Sequence, residues 1–277
     1  MRSWVWFFSK GAVQWQQLLF IKNYPANKSE RTRIMNTKLE LFARLVNQSR
    51  NTVFFGGAGV STESGIPDFR SQSGLYNARQ IYGRAPEYLL SHSCFVKEPE
   101  LFFKYYKENL IARDAKPNAA HYALAKLEEQ GSIKAVVTQN VDGLHQAAGS
   151  KTVYELHGSN WRQFCIKCSE KYSLDYILAQ GVIPKCEKCG GIVRPEVVLY
   201  GENLLRKVMS DAIRAISNAD LLIVGGTSLA VYPAAGLLEY FCGSNLVLIN
   251  KSETTADSLA RLVINDSIGK VFSEIMR

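Results

Sequence analysis

Four cysteines in two C-x-x-C pairs constrain the fold of this chain more than any other feature. Cys165 and Cys168 form the first pair, seventeen residues follow, and Cys186 and Cys189 form the second. Each pair can present two thiolates to one ion, and four thiolates together close a tetrahedral zinc site without an open position. The spacing predicts a small structural zinc ribbon, and a redox dithiol pair is the weaker alternative.

The composition fits one large domain with a small insertion. Of the 277 residues, 47% are apolar and 21% are charged, as in ordinary soluble proteins. No apolar run approaches the roughly 20 residues of a membrane-spanning helix. Six cysteines are too few for a disulfide scaffold of this length, so the pairs favour metal binding in a reducing compartment such as the cytoplasm. The other two, Cys94 and Cys242, are expected to be buried thiols.

The net charge of +8 is concentrated at the N-terminus. Residues 1–34 carry six basic side chains and one acidic side chain, so the remaining 243 residues hold only +3. A charge this weak and scattered does not predict nucleic-acid binding. The segment contains three tryptophans and ends in the polar run PANKSERTR, which is typical of a linker. A targeting leader, a membrane-surface helix and sequence upstream of the true start all remain open, and we expect folding to begin near residue 36.

From residue 36 onward, predicted helices alternate with predicted strands. The predicted helices are Lys38–Gln48, Pro99–Asn109, Asn118–Gln130, Leu204–Ser217, Tyr232–Cys242 and Ser267–Met276. The predicted strands are Thr52–Phe55, Ile133–Thr138, Thr152–Leu156, Ala219–Val224, Asn245–Ile249 and Arg261–Ile264. This alternation predicts an α/β fold with a doubly wound parallel sheet of Rossmann-like type.

A glycine-rich turn directly follows the first predicted strand. Its sequence is GGAG at residues 56–59, and Thr62 occupies the third glycine position of the common G-x-G-x-x-G fingerprint. In an open parallel sheet, such a turn binds a dinucleotide pyrophosphate through backbone N–H groups. Taken alone, the motif is equally consistent with a tight structural turn. The next segment, SGIPDFRS, contains glycine and proline, so it cannot continue as a simple helix and is expected to fold over the turn.

The segment GAGVSTESGIPDFRS at residues 57–71 resembles a motif of the sirtuins, and further sirtuin motifs follow in order. They are QNVDGLH at 139–145, LHG at 156–158, the two cysteine pairs, RP at 194–195, YGE at 200–202, GTSL at 226–229 and VLIN at 247–250. The resemblance extends from about residue 38 to the C-terminus and is to the short, bacterial type.

The resemblance implies a domain organisation. A leader or non-native extension without structure would occupy residues 1–35, and a sirtuin catalytic domain would occupy residues 36–277. Its large Rossmann-like part would comprise about 36–75, 116–160 and 200–277. A helical insertion would occupy about 76–115, and the inserted zinc ribbon about 161–199.

The resemblance also implies a reaction. Sirtuins remove acetyl groups from protein lysines in an NAD-dependent manner and yield nicotinamide, O-acetyl-ADP-ribose and free lysine. By resemblance His157 is the base at the ribose, a role that suits imidazole because its pKa lies near neutrality. Asn140 and Asp142 would hold the ribose and the nicotinamide amide. The chain would use NAD as a co-substrate and one structural zinc ion.

Further binding residues are expected from the same motifs. Those implied to contact NAD are Ala58, Gly59, Thr62, Phe69, Arg70, Gln139, Val141, Asp142, His157, Gly226, Thr227, Ser228, Asn250 and Ile268. Those implied to contact the acetylated peptide are Phe69, Val198, Tyr200, Gly201, Glu202 and Val231. The peptide would add as a strand between two edges of a monomeric enzyme, without stable membrane insertion. His121 and His145 are expected to have structural roles.

Four alternatives remain open. A sirtuin that removes acidic acyl groups would carry Tyr-x-x-Arg, and the matching stretch here has Tyr106 but Asn109 in the arginine position, which favours neutral short acyl groups. ADP-ribosyl transfer to protein is a second alternative. A hydride-transferring oxidoreductase would need the complete glycine fingerprint, and a non-catalytic zinc-ribbon binder would not need His157 and Asn140.

Overall fold

The computed structural model of the chain describes residues 28–67 and 78–276. Two units are separately compact, Met1–Lys38 and Leu39–Arg277. Helix α1 runs Lys28–Gln48, so it begins ten residues before the predicted start. The polar run that we interpreted as a linker is helical from its fourth residue onward, because no glycine or proline interrupts it there. The predicted start of this helix at Lys38 was therefore wrong.

The strands of the described residues divide between two sheets. In chain order they are β1 (Thr52–Gly56), β2 (Ile133–Thr138), β3 (Val153–Glu155), β4 (Gly158–Cys165), β5 (Lys171–Ser173), β6 (Val193–Val197), β7 (Leu221–Gly225), β8 (Asn245–Ile249) and β9 (Leu262–Ile264). A parallel sheet has the order β3-β2-β1-β7-β8-β9, as the alternation predicted. A small antiparallel sheet has the order β5-β4-β6. The direction of winding reverses between β1 and β7, so a crevice opens at their carboxyl ends.

The helices agree with the sequence pattern where it was strongly periodic. After α1 they are α2 (Pro86–Leu89), α3 (His92–Lys97), α4 (Pro99–Asn109), α5 (Ala119–Glu129), α6 (Leu144–Ala148), α7 (Leu174–Ala179), α8 (Arg206–Ser217) and α9 (Ile268–Ile275). Asn118 caps α5 by accepting a hydrogen bond from the Ala120 N–H at 3.0 Å, as predicted. Among the described residues, no helix combines the length and apolar character needed to cross a bilayer.

Helices cover both faces of the parallel sheet. Adjacent side chains of β1 point to opposite faces, since side chains alternate along a strand. Phe55 packs in one core cluster with Ala212 and Ile216 of α8. Phe54 meets the ring of Phe272 of α9 edge-on, with centroids 6.1 Å apart. This arrangement confirms the doubly wound fold class.

The helical insertion and the zinc-ribbon segment share one core. Phe95, Phe102 and Phe103 of α3 and α4 pack edge-on against one another, with ring centroids 5.2–6.1 Å apart. These rings lie in the same buried cluster as Ile177 of α7 and Val193 of β6. Two segments that are far apart in sequence therefore form a single small lobe, which comprises α2–α4, α7 and β4–β6.

Two expectations for the C-terminal half were wrong. The predicted helix Tyr232–Cys242 is a 3₁₀ helix over Ala234–Tyr240, in a run that contains Gly236 and therefore has low α-helical propensity. Cys242 follows the end of this helix and is exposed, with its thiol against the Tyr240 carbonyl oxygen, so it is not a buried thiol. Cys94 is buried as expected, and burial raises the pKa of its thiol to about 11.

Candidate active site

The main cavity lies at the carboxyl ends of β1, β2 and β7, in the crevice that the strand order creates. Its volume is about 310 Å³. Most residues expected to bind NAD or peptide line it, namely Ala58, Gly59, Gln139, Asn140, Val141, Asp142, His157, Val198, Tyr200, Gly201, Glu202, Gly226, Thr227, Ser228 and Val231. Phe69 and Arg70 lie outside the described residues.

Two glycine turns meet at this cavity through direct backbone contact. The Gly59 N–H donates to the Gly226 carbonyl oxygen at 2.8 Å. A Cβ atom on Gly59 would lie 2.7 Å from the Gly226 Cα, and one on Gly226 would lie 2.4 Å from the Val60 nitrogen. Both positions therefore require glycine, and Gly226 also has a positive φ of 60°. The contact brings the loops after β1 and β7 to one ligand site.

Ser61 joins the two polar residues that were expected to be catalytic. Its hydroxyl donates to Asp142 Oδ2 at 2.7 Å and accepts from Asn140 Nδ2 at 3.1 Å. Ser61 is only 1% exposed and also lines the cavity. Sequence reasoning missed this residue, although its position inside the glycine motif, directly before Thr62, was a signal that could have found it.

A backbone carbonyl orients the imidazole of His157. Nδ1 lies 2.8 Å from the carbonyl oxygen of Gln139, which can only accept a hydrogen bond, so Nδ1 carries the proton. Nε2 then holds the lone pair that a general base needs. The His157 carbonyl oxygen accepts from the Val198 N–H at 2.9 Å, which fixes the histidine beside the segment that follows β6.

A chain of hydrogen bonds leads from Gln139 toward a second cavity. Gln139 Nε2 donates to Thr227 Oγ1 at 3.0 Å, and the Thr227 N–H donates to Asn250 Oδ1 at 2.9 Å. The second cavity, of about 320 Å³, shares part of its lining with the first and adds Thr62, Asn250 and Ile268. Asn250 Nδ2 is buried without a hydrogen-bond partner among the described residues. A ligand acceptor at this position would satisfy it.

The segment 198–202, which follows β6, carries most of the residues expected to contact the acetylated peptide. Its backbone pairs with the residues before α3, because the Tyr200 N–H donates to the Leu90 carbonyl oxygen at 3.0 Å. The His92 N–H in turn donates to the Tyr200 carbonyl oxygen at 2.9 Å. The helical insertion therefore holds this wall of the cavity in place.

The carboxylate of Glu202 is engaged by protein groups. It accepts from Arg194 Nη1 at 2.6 Å, from the Leu199 N–H at 2.9 Å and from His92 Nδ1 at 2.9 Å. Burial raises the pKa of Glu202, but the hydrogen bonds from Arg194, Leu199 and His92 outweigh it and lower the pKa to about 2. Glu202 is therefore ionised at neutral pH.

Tyr106, and not Asn109, is the residue of α4 that lines the cavity. Tyr106 is 1% exposed, and its hydroxyl donates to Asn160 Oδ1 at 3.2 Å. Asn109 Nδ2 instead donates to the Tyr82 hydroxyl at 2.9 Å and to the Tyr105 carbonyl oxygen at 3.0 Å. Those two bonds hold the Asn109 amide at the end of the helix. Position 109, which the sequence match aligned with the arginine of Tyr-x-x-Arg, therefore does not line the cavity.

The four cysteines predicted to bind zinc lie together in the small lobe. Their Sγ atoms are all within 4.8 Å of one another, with Cys165–Cys189 at 3.5 Å and Cys168–Cys186 at 3.6 Å. Sulfurs that surround one zinc ion tetrahedrally would be about 3.8 Å apart, so the cluster fits the ion. The Tyr172 hydroxyl lies 3.0 Å from Cys186 Sγ, where it can donate to a thiolate.

His121 and His145 form a buried pair in the large unit. Their ring centroids are 4.7 Å apart, and His121 Nδ1 accepts from the Asn118 N–H at 3.2 Å. Burial lowers the pKa of His121 to about 4 and that of His145 to about 3, so both rings are neutral at physiological pH. Neither lines the two cavities, in keeping with the structural role expected for both.

Comparison with known proteins agrees with this geometry. The model of the Sir2 family matches residues 57–233. The NAD-dependent protein deacetylase of Clostridium perfringens is 60% identical over 243 residues, which cover 87% of this chain and 100% of that protein. The NAD-dependent protein deacetylase of Clostridium acetobutylicum is 57% identical over 240 residues, 86% of this chain and 98% of that protein.

A solved structure of a Sir2 variant with deacetylated p53 peptide and 3′-O-acetyl ADP ribose is also similar. It is 42% identical, covers 86% of this chain and 97% of its own, and superposes with a TM-score of 0.79. The two cavities, the paired glycine turns and the cysteine cluster thus occur in a fold shared with these proteins. The resemblance inferred from the motifs is confirmed, and the chain belongs to the Sir2 family.

Proposed function

We infer that the chain is an NAD-dependent protein-lysine deacetylase. The observation that carries the inference is the orientation of His157, whose Nδ1 is bound to the Gln139 carbonyl oxygen while the ring lines the main cavity. A base with its lone pair on Nε2 is therefore placed beside the glycine turns. Relatives at 57–60% identity are NAD-dependent protein deacetylases, which supports the same activity for this chain.

The residues present suit NAD as the co-substrate. Two adjoining cavities of about 310 and 320 Å³ meet at the glycine turns, so an elongated dinucleotide can extend through both. Ala58, Gly59, Thr62 and residues 226–228 would face its phosphates. Asn250, with its unsatisfied Nδ2, would bind the adenosine ribose beside Ile268. When bound, NAD supplies a ribose carbon that accepts the acetyl-lysine oxygen and a nicotinamide that leaves.

The residues of the main cavity would have different roles in the reaction. Ser61 holds Asn140 and Asp142 in a fixed relation, so these two side chains can bind and orient the nicotinamide end without reorganising. His157 Nε2 would take a proton from a ribose hydroxyl. Val141, Val198 and the body of Tyr200 would exclude water from the lysine side chain, with Phe69 and Arg70 expected at the same cleft.

The zinc site would contribute structure and not chemistry. Four thiolates at tetrahedral spacing leave no position for water or substrate. We place the protein in the cytoplasm, because a four-thiolate site needs reduced cysteines. We also propose that it acts as a monomer on acetylated peptides and binds no specific nucleic acid. The leader, residues 1–35, is proposed to be dispensable, since residues 29–34 of α1 are exposed.

One assay separates this function from its alternatives. The purified protein is incubated with NAD and an acetyl-lysine peptide, and nicotinamide and free lysine are measured over time. A deacetylase releases the two in equal amounts, and only when the peptide is acetylated. Formation of NADH would indicate hydride transfer, and transfer of label from NAD to protein would indicate ADP-ribosylation. Absence of nicotinamide release would contradict the proposed function.

Neutral acyl groups are the proposed substrates, because the described lining of the main cavity offers no cationic side chain to an acidic acyl group. The described lining contains Glu87 and Asp142 but neither arginine nor lysine, and Glu202 is already paired with Arg194. The enzyme should therefore process acetyl-lysine at least about tenfold better than succinyl-lysine. Leu110→Arg should raise the succinyl activity, since Leu110 lines the cavity one turn after Tyr106. Asn109→Arg is the matched control and should not; comparable wild-type rates on both peptides would refute the argument.

A further inference from the structure

We propose that Arg194, Glu202 and His92 act together as a clamp that positions the segment 198–202 for the acyl-lysine peptide. The three residues belong to β6, to the segment itself and to α3, so the clamp joins the zinc ribbon, the cavity wall and the helical insertion. The inference rests on the proposed function, because it assigns positioning residues to the peptide side of that site.

Arg194 is the fixed end of the clamp. Its side chain is 8% exposed, and its guanidinium lies over the ring of Phe95 at 5.1 Å. Nη1 and Nη2 donate to the two oxygens of Glu202 at 2.6 and 3.1 Å, and Nη2 also donates to the Val197 carbonyl oxygen at 2.7 Å. Because the guanidinium is planar, packed on a ring and bound to a backbone carbonyl oxygen, its remaining N–H groups meet the carboxylate in a fixed orientation. Arg194 therefore fixes where Glu202 lies.

The Glu202 carboxylate has no remaining capacity for a substrate. It accepts four hydrogen bonds, two from Arg194, one from the Leu199 N–H and one from His92 Nδ1. An ionised carboxylate offers about four acceptor positions, so these donors fill them. Glu202 thus acts on the peptide through the loop that it holds, and the side chain itself is a positioning residue.

The loop that the clamp holds carries the peptide wall and not the NAD wall. Val198 and Tyr200 both line the main cavity, and the Tyr200 backbone is bound on both sides by residues next to α3. The NAD side is held by separate bonds, such as Gly59 to Gly226 and Thr227 to Asn250. Loosening the clamp should therefore weaken peptide binding and leave NAD binding unchanged.

The test uses His92, whose side chain is 54% exposed and can be replaced without opening the core. His92→Ala should raise the KM for the acetyl-peptide about fivefold, with the KM for NAD and kcat within about twofold of wild type. His92→Asn should restore the peptide KM, because its amide N–H can reach the same Glu202 oxygen. Val96→Ala, on the exposed side of the same helix, is the matched control and should change neither constant.

Glu202→Gln is the second variant. It keeps the shape of the side chain but leaves the buried Arg194 charge without its partner, so the peptide KM should rise more than in His92→Ala. An unchanged peptide KM in both variants would overturn the clamp. An equal rise in the KM for NAD would also overturn it, because the effect would then be general. If wild-type protein releases no nicotinamide, the proposed function fails instead, and anisotropy of a labelled acetyl-peptide still measures the clamp.

Discussion

The two halves of the main cavity are held together by different kinds of interaction. On the side proposed to bind NAD, backbone groups and uncharged side chains dominate, as in the contact of Gly59 with Gly226 and in the bond from Gln139 to Thr227. On the side proposed to bind the peptide, the small lobe contains the four clustered cysteines, the pair of buried Arg194 with Glu202 and a cluster of aromatic rings. Removal of the metal or of a charge should therefore weaken peptide binding first. NAD binding should weaken only when the geometry of the glycine turns changes.

The largest expected effect tests the NAD side. His157→Ala should lower the turnover number by about a thousandfold, because general base catalysis contributes on that scale. Zinc content and melting temperature should stay at wild-type values, since the histidine lies in the cavity and not in the small lobe. Turnover, bound zinc and thermal unfolding are measured on the same preparation. Loss of zinc in this variant would show that a change on the NAD side also disturbs the small lobe, so that the two halves are not independent.

The next effect tests the peptide side. Cys186→Ser should release zinc and destabilise the small lobe by more than about 4 kcal/mol, because a structural metal site contributes folding free energy directly. NAD should still bind, as the glycine turns belong to the parallel sheet. Zinc content, urea unfolding and NAD titration by calorimetry test the three statements. Simultaneous loss of NAD binding would show that the halves are not separable. Cys242→Ser is the matched control, since this exposed cysteine lies outside the cluster.

Acid should affect the buried pair of His121 and His145 before it affects the clamp. The folded pKa values of His121 and His145 lie near 4 and 3, below the usual 6.5, so the unfolded chain binds more protons as the pH falls. Stability should therefore decrease from about pH 6.5 downward, by about 2 kcal/mol for each histidine at pH 5. Glu202 has a lowered pKa of about 2, so its contribution is complete above its ordinary 4.5 and is lost only between 4.5 and 2.

His145→Leu tests the acid prediction. The variant removes one of the two buried rings and should flatten the dependence of unfolding free energy on pH between 7 and 5. Glu202→Gln is the comparison, and it should leave the slope in this range unchanged. Urea midpoints at several pH values provide the measurement. A slope that responds to Glu202 and not to His145 would show that acid acts through the clamp and not through the buried histidines.

The smallest effect concerns the support of the zinc site. Tyr172→Phe removes a hydroxyl that lies 3.0 Å from Cys186 Sγ, and zinc affinity should fall about fivefold because one hydrogen bond to a thiolate is lost. Tyr176→Phe is the control, since that hydroxyl donates to the Lys185 carbonyl oxygen at 2.6 Å and not to a ligand. Competition with a chromophoric chelator measures both. Equal zinc affinities for wild type and Tyr172→Phe would show that the hydroxyl does not support zinc binding.

The sequence predicted the sheet better than the small lobe, and the reason is physical. Buried parallel strands such as Ile133–Thr138 are short β-branched runs, so they can be recognised locally. The strands of the ribbon have no clear apolar pattern, since β6 has the sequence Val-Arg-Pro-Glu-Val although four of its five residues are buried, and they were not predicted. Ser61 was missed because a serine in a turn has many roles, and only its contacts with Asn140 and Asp142 identify it.

Errors at positions 28, 109 and 242 share a different cause. A polar run without helix breakers is compatible with either a linker or a helix. In the structure it is helical from Lys28 onward. The orientation of Asn109 depends on Tyr82, which is distant in sequence. The exposure of Cys242 depends on a 3₁₀ helix ending at Tyr240. Long-range contacts determine the structure at such positions. They also form the clamp, in which His92 and Glu202 lie 110 residues apart in sequence.

The core common to the helical insertion and the zinc ribbon makes the two segments one cooperative folding unit. Phe102 and Phe103 cannot stay buried if the segment around Ile177 and Val193 unfolds, since each supplies the surface that covers the other. Local opening of the ribbon must therefore expose amides of α4, although no residue of α4 is a zinc ligand. Protection of α4 amides against hydrogen exchange will then rise with the concentration of free zinc, while amides of β1 and β7 exchange at a rate that the metal does not set.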